Sequence, residues 1–530
     1  MCGIFTTYNA SSPWDLIEKS FQKISYRGPD SSEHLHINNK LTMAFHRLAI
    51  MGISDSGNQP MKHPKDNSLT LICNGEIYNY KKLADDYGFK LTTGSDSEII
   101  LHLFKEIGIE GTVKALDGVF MFVLYDEIND ILYAGRDPVG VRPGFISLNG
   151  DEVFISSEAK SLVEIAKNTM PFPPGSWWSS KYNEKFNKYF YCKPDIQTTD
   201  SNNINILQNI KDLLTDAVVK RLMSEREIGC LLSGGLDSSL ISSIVAKNYP
   251  GDKLNTFSVG IEGSVDLEYA ETVADFIKSK HHSIQITEKD FLDAIEVVIY
   301  NIESYDTTTV RASVGNYLVS KYIRENTDCK VIFNGDGSDE VCCGYLYLRN
   351  APSSKELQLE SERLVNELYF FDVLRSDRSI SSNGLEARTP FLDKTFVKYY
   401  LSIPSELKVF NSKDRIEKHI LRKAFDNGTY LPDDVLWRRK VAFSDGVSSQ
   451  KKSWHKIIQN HVDSKISDEE FFKAKDSISH CTPLLKESYY YRKIYESFFP
   501  KSEKLIPHFW MPKWSSVIDP SARELQDYQE

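Results

Sequence analysis

Long apolar runs are missing from this chain: no stretch of its 530 residues approaches eighteen uninterrupted apolar positions, so no membrane-spanning segment is expected. The N-terminus has no basic region followed by an apolar one, and no secretory leader is expected. A basic excess is missing too. Lys and Arg number 63 against 74 Asp and Glu, and the resulting net charge of −11 excludes nucleic acid or an anionic membrane as the main partner. Cysteine is sparse. Eight residues with no C-x-x-C pair, two of them adjacent at Cys342-Cys343, build neither a disulfide framework nor a zinc site. These absences describe a cytosolic protein with reduced core thiols, Cys2 being the exception. Its length exceeds what one core usually organises, so two or more domains are expected.

What is present is organised around residues 228–239. Ile228-Gly229-Cys230-Leu231-Leu232 reads as a buried strand, Ser233-Gly234-Gly235 as a turn, and Leu236-Asp237-Ser238-Ser239 as the start of a helix. Glycines let the turn point its N–H groups inward, and the serine hydroxyls add donors beside the positive end of the helix dipole. That equipment suits a phosphate. With no Gly-Lys-Ser/Thr ending and no Gly-x-Gly-x-x-Gly, the P-loop and the dinucleotide fingerprint are both excluded. The stretch resembles the PP-loop of ATP pyrophosphatases, enzymes that adenylate a carboxylate and release pyrophosphate, and Asp237 stands where it can hold Mg²⁺ against that pyrophosphate.

At the other end of the chain, Met1-Cys2-Gly3 puts a thiol where loss of Met1 would leave it beside a free α-amine. The pair is a self-contained nucleophile and base, because an α-amine titrates near neutrality and needs no histidine. Leu69 to Cys73 reads as a strand ending at Asn74-Gly75, which offers an amide side chain and a backbone N–H for an oxyanion. An amphipathic helix is expected from Ile99 to Ile107, short strands after Asp117 to Tyr125 at Ile131 to Ala134, Pro143 to Leu148 and Val153 to Ser156, and another helix starting at Glu158. Cys2-Gly3-Ile4, Arg27-Gly28-Pro29-Asp30, Asn74-Gly75-Glu76, Gly94-Ser95-Asp96 and Gly135-Arg136-Asp137 together resemble class II glutamine amidotransferase domains with an N-terminal-nucleophile fold. The resemblance implies that Cys2 attacks the glutamine amide while Asn74 and the Gly75 N–H hold the oxyanion. It also implies that Arg47 binds the glutamine carboxylate, and that Glu76 and Asp96 hold its amino group.

From residue 206 onward strands and helices alternate: strand Ile228 to Leu232, strand Leu254 to Val259, helix Asp266 to Ile277, strand Ser283 to Ile286, helix Lys289 to Tyr300, helix Arg311 to Arg324 and strand Lys330 to Asn334. That order predicts a parallel sheet covered by helices, with ligands at the strand C-termini. A second signal follows the last strand. Asn334-Gly335-Asp336-Gly337-Ser338-Asp339-Glu340 combines glycines and acids in a way that suits a divalent metal and close approach of a nucleotide. With Thr307-Thr308-Thr309-Val310-Arg311, Gly384 to Asp393 and Trp437 to Gly446, the set is similar to the glutamine-hydrolysing asparagine synthetase family over almost the whole chain, including Trp510 to Trp514 and Asp519 to Arg523.

That likeness implies ATP contacts at Leu232, Val259, Asn334 and Gly335, with Ser233, Gly234, Gly235, Ser238 and Ser239 on its phosphates and Mg²⁺ on Asp237 and Asp339. It implies that Thr308, Thr309, Arg311 and Arg388 line an aspartate pocket, that Asp336 serves formation of β-aspartyl-AMP, and that Lys440 steadies developing charge. Two features depart from the family pattern, the loop with Asn334 for serine and Asp336 for glutamate, and the paired Cys342-Cys343 that follow it, which bears on the efficiency of adenylation. The expected domains are 1–192, an α+β N-terminal-nucleophile sandwich, and 206–530, an α/β parallel-sheet synthetase, joined by a linker at 193–205. The expected partners are glutamine, aspartate and ATP, with an internal route for ammonia. The oligomeric state stays open, a homodimer included. Another carboxylate-adenylating amidotransferase on this scaffold and a decayed sensor are the alternatives, and the intact Cys2, Asp237 and Asp339 speak against the second.

Overall fold

A computed structural model describes residues 1–182, 185–194, 203–410, 415–440 and 454–520. Most of the expected linker, the Val441 to Gly446 part of one motif and the Ser521 to Arg523 end of another lie outside the described residues. The chain divides into two compact units, the first comprising Met1–Tyr191 with Met223–Glu227 and Ser381–Glu386, the second comprising Cys192–Leu222, Ile228–Ile380 and Ala387–Glu530. Among the described residues no helix is long and apolar enough to cross a membrane.

In the first unit the described strands form two six-stranded antiparallel sheets. One has Gly3–Tyr8 at its interior, paired with Leu41–Arg47 and Glu152–Ser156. In the other, Asp66–Ile77 and Gly118–Asp126 pair over nine positions. Side-chain alternation explains the layering. Ile72, Val123 and Ala134 face Ile4, Phe45 and Ile155 of the first sheet in one core, whereas their neighbours Leu71, Cys73, Phe122 and Leu124 pack with Ile99, Leu103 and Val113 of the helix Glu98–Ala115. Apolar residues therefore run on without a polar face, as in any sheet covered on both sides.

Two expectations need correction here. The strand does not end at Asn74-Gly75 but continues to Ile77, because both residues still pair with Met121 and Phe120. Glu158 starts no α-helix. Only a 3₁₀ turn follows at Ala159–Ser161, since the Glu158 carboxylate is engaged by Arg27, Tyr26 and Lys160. The expected helix end at Ile107 coincides with a break, Gly108 adopting φ +65° inside Glu98–Ala115.

In the second unit a five-stranded sheet runs in the order Lys280–Ile286, Asn255–Ile261, Ile228–Leu231, Val331–Phe333, Glu386–Arg388, and its first three pairings are parallel. The chain moves outward from Ile228–Leu231 through the next two strands, then returns to add Val331–Phe333 on the other side. Order reverses between those two strands. In open α/β sheets such a switch point leaves a crevice at the strand C-termini, and the loops beginning at Leu232 and Asn334 open there.

Candidate active sites

Cys2 immediately precedes the interior strand Gly3–Tyr8, whose first residue pairs with His46. Its Sγ accepts from the Leu48 N–H at 3.4 Å and faces the Leu48 carbonyl at 3.6 Å. Its own N–H donates to Asn74 Oδ1 at 3.0 Å. A peptide N–H can only donate, so Oδ1 is the atom turned toward Cys2 and Nδ2 points elsewhere. That nitrogen is buried and has no hydrogen-bond partner among the described residues. An unpaired buried donor is costly unless a ligand uses it, and beside a nucleophile it is the donor a tetrahedral oxyanion requires. Gly75 admits no side chain, because a Cβ would come within 2.3 Å of the Val119 carbonyl.

The Arg27 motif anchors this arrangement: Nε donates to the Cys2 carbonyl at 3.0 Å while Nη1 is held by Glu158 Oε1 at 2.5 Å. Arg47 and Glu76 are close enough for their charges to act on the thiol. Arg47 donates to Ser54 O at 2.9 Å, Asn58 Oδ1 at 2.6 Å and Gly52 O, so the loop over residues 52–58 orients its guanidinium. Asp96 is buried and accepts from the Ile77 N–H at 2.6 Å. Burial pushes the Cys2 thiol up, so it needs a base to ionise near neutral pH. Met1 is buried, and burial brings its amine down to about 6. Loss of Met1 would turn the Cys2 nitrogen, already in contact with Asn74, into an α-amine next to the thiol.

The second unit has a cleft of about 230 Å³ at the switch point of its sheet. Gly234, at φ +71°, turns the first loop so tightly that a Cβ would lie 2.4 Å from Tyr269 Cβ. Gly335 brings the second loop against the first, since a Cβ there would stand 2.7 Å from the Ser238 nitrogen. Ser233, Gly235, Asp237, Ser238, Asn334, Gly335, Asp336, Asp339, Thr308 and Lys440 line the cleft. Leu232, Gly234, Ser239 and Val259 are not among its lining residues, and Leu231 is.

Asp237 and Asp339 converge as the sequence predicts, on a residue it did not single out. Lys418 Nζ lies 2.6 Å from Asp237 Oδ2 and 2.6 Å from Asp339 Oδ1. Lys440 pairs with the other oxygen of Asp339, and Ser338 Oγ donates to Asp237 Oδ1 at 2.8 Å. Burial opposes the charged form of Asp339, but Lys418 and Lys440 outweigh it and hold the carboxyl below its usual range. Two carboxylates that meet on one ammonium can meet on one divalent cation, and an all-oxygen donor set suits Mg²⁺. Among the described residues no group of three or more His, Cys, Asp or Glu is placed to hold a metal ion.

Arg375 is the second residue missed. Its Nη2 stands 3.0 Å from Asp336 Oδ1 and 2.7 Å from Asp372 Oδ1. The other Asp336 oxygen is buried without a hydrogen-bond partner among the described residues, as is the Thr308 hydroxyl. Asn334 braces the loop: its amide donates to Ser376 Oγ at 2.7 Å and its carbonyl oxygen accepts from the Asp336 N–H at 3.3 Å.

Three residues assigned to an aspartate pocket do not line the cleft. Thr309 donates to Asp306 Oδ2 at 2.7 Å, within the cap of helix Thr307–Asn326. Arg311 is buried against Glu487 and Asp519, with four donor–acceptor distances of 2.6–2.9 Å, which uses its guanidinium as a bridge inside the unit. Arg388 is buried on the strand Glu386–Arg388, where its carbonyl accepts from the Asn334 N–H at 3.1 Å and its side chain reaches the Arg221 carbonyl.

Both halves have counterparts among known proteins. The glutamine amidotransferase domain family matches residues 1–176, and the asparagine synthase family matches residues 209–365 and 349–523. Over its full length the chain is 43% identical to the asparagine synthetase [glutamine-hydrolyzing] of Cricetulus griseus and 43% identical to that of Gallus gallus, covering 99% of each. A glutamine phosphoribosylpyrophosphate amidotransferase structure from B. subtilis overlaps 53% of this chain and 81% of its own at 15% identity and a TM-score of 0.32, too slight a likeness to bear on the fold. A thiol at position 2 whose backbone N–H is held by Asn74, followed by a parallel sheet whose switch point gathers paired carboxylates and lysines, matches both family assignments in their order, and the chain belongs to the glutamine-hydrolysing asparagine synthetase family.

Proposed function

We propose that the protein makes asparagine from aspartate, glutamine and ATP, and that the two units divide the work. The Cys2 thiol adds to the glutamine side-chain carbonyl as the α-amine takes its proton, and Asn74 Nδ2 with the Gly75 N–H stabilises the oxyanion. Collapse, with the α-ammonium returning its proton to the leaving nitrogen, expels ammonia and leaves a thioester, which water hydrolyses to glutamate. Arg47 takes the substrate carboxylate, and Glu76 with Asp96 its ammonium.

In the second unit an oxygen of the aspartate β-carboxylate attacks the α-phosphorus of ATP, and pyrophosphate leaves. Ser233, Gly235 and Ser238 hold phosphate oxygens, while Lys440 and Lys418 offset their charge. Mg²⁺ held by Asp237 and Asp339 would add its positive charge to the leaving pyrophosphate. Asp336, clamped by Arg375 through one oxygen, offers the other to the bound substrates during formation of β-aspartyl-AMP, and the Thr308 hydroxyl is a further polar contact for aspartate. Ammonia then adds to the acyl carbon of β-aspartyl-AMP, loses a proton and displaces AMP. The observation that carries this reading is the convergence of Asp237, Asp339, Lys418 and Lys440 at the switch point beneath the Ser233 loop.

Product analysis tests it. Purified protein given glutamine, aspartate, ATP and Mg²⁺ is expected to form asparagine, glutamate, AMP and pyrophosphate, with AMP depending on aspartate. ADP and inorganic phosphate as the nucleotide products would contradict it.

A further inference from the structure

Lys418 occupies the point where two carboxylates meet, and its surroundings hold it there. Its side chain is 2% exposed, and its backbone adopts φ +57° at the entrance to helix His419–Ala424. Gly344 makes room for it: a Cβ at that position would lie 2.0 Å from Lys418 Cε and 2.2 Å from Asp339 Oδ1. The two Nζ contacts, 2.6 Å each, give the ammonium a place between the carboxylates that a divalent cation would also take.

We propose that Lys418 is a built-in substitute for the divalent cation, which keeps Asp237 and Asp339 paired until a nucleotide arrives and makes metal binding depend on that nucleotide. The inference rests on the assignment of these carboxylates to a metal–nucleotide site. One ammonium and one Mg²⁺ cannot both sit between the same two oxygens, because like charges at contact distance repel strongly in a partly buried site. A triphosphate changes the balance. Its oxygens offer Lys418 and Lys440 another anionic partner, and they also supply the ligands that two carboxylates alone cannot give an octahedral ion. The order is therefore nucleotide with metal, or nucleotide before metal, and not metal alone.

Mn²⁺ followed by electron paramagnetic resonance, with and without the α,β-methylene analogue of ATP, reads this directly, without turnover. Wild-type protein is expected to bind Mn²⁺ weakly on its own and tightly with the analogue. Lys418→Met is expected to bind Mn²⁺ alone more tightly by about tenfold or more, the scale on which a neighbouring cation alters a carboxylate's hold on another positive charge. Adding Asp237→Asn to that variant should abolish the gain, and Lys418→Arg should keep Mn²⁺ binding dependent on the analogue. Thermal unfolding is the companion reading, since a ligand that binds the folded state raises its stability: Lys418→Met should gain stability with Mn²⁺ alone and wild type should not. Tight binding of Mn²⁺ to the wild type without nucleotide would overturn the substitution. That reading needs no variant, so a poorly folding Lys418→Met leaves the test intact. No tight binding even with the analogue would overturn the metal–nucleotide site itself, a distinct failure.

Discussion

Cys2→Ala is expected to abolish asparagine formation from glutamine while leaving formation from ammonium salts within about twofold of the parent. Loss of a nucleophile that acts together with its base typically costs on the order of a millionfold in rate, so nothing above background should remain with glutamine. The thiol's contacts are local. It touches Leu48 and, through its own backbone, Asn74 and Arg27, all within the first unit. Removing one sulfur from that pocket leaves the cleft of the second unit with all of its lining residues. Intact mass of the parent should also show that Met1 has been removed. A folded Cys2→Ala protein inactive with both nitrogen donors would contradict separate sites.

Asp336→Ala should lose aspartate-dependent AMP formation by at least about a hundredfold, because displacing a reacting partner by on the order of 1 Å already costs that much. Glutamine hydrolysis should persist. The structure gives Asp336 an unusual division of labour, with one oxygen paired to Arg375 at 3.0 Å and the other buried and unpaired among the described residues. A buried carboxylate oxygen without a partner calls for an explanation, and the proposed reaction supplies one in a bound ligand. Asp336→Glu keeps the charge and can keep Arg375 as partner, so it should retain activity. Asp336→Ala making asparagine at the parental rate would reduce Asp336 to a loop residue.

The signals that survived folding were those in which the chemistry lies in adjacent residues. Ser233 to Asp237 and Asn334 to Asp339 each follow a strand, and parallel order alone predicts that both reach the same sheet edge. Lys418 and Arg375 were not legible, because nothing local sets them apart: Lys418 is one of several basic residues between Lys413 and Lys423, and Arg375 is followed by Arg378. Lys418 is 181 positions from Asp237, and Arg375 is 39 from Asp336. Arg311 shows the reverse. Its motif suggests a pocket residue, yet Glu487 and Asp519, 176 and 208 positions away, surround it in the folded unit. Asn74-Gly75 misled in a smaller way. The pair is a common turn signal, but the strand Gly118–Asp126 runs past it and keeps it in the sheet.

Adenylation of the aspartate side chain moves one of its oxygens onto AMP, and that transfer can be followed by isotope. Aspartate labelled with oxygen-18 in its β-carboxylate is turned over with glutamine and ATP, and the products are weighed by mass spectrometry. Each AMP formed is expected to carry one labelled oxygen, asparagine to keep the other, and pyrophosphate to carry none. Label in inorganic phosphate, or AMP free of label, would contradict adenylation.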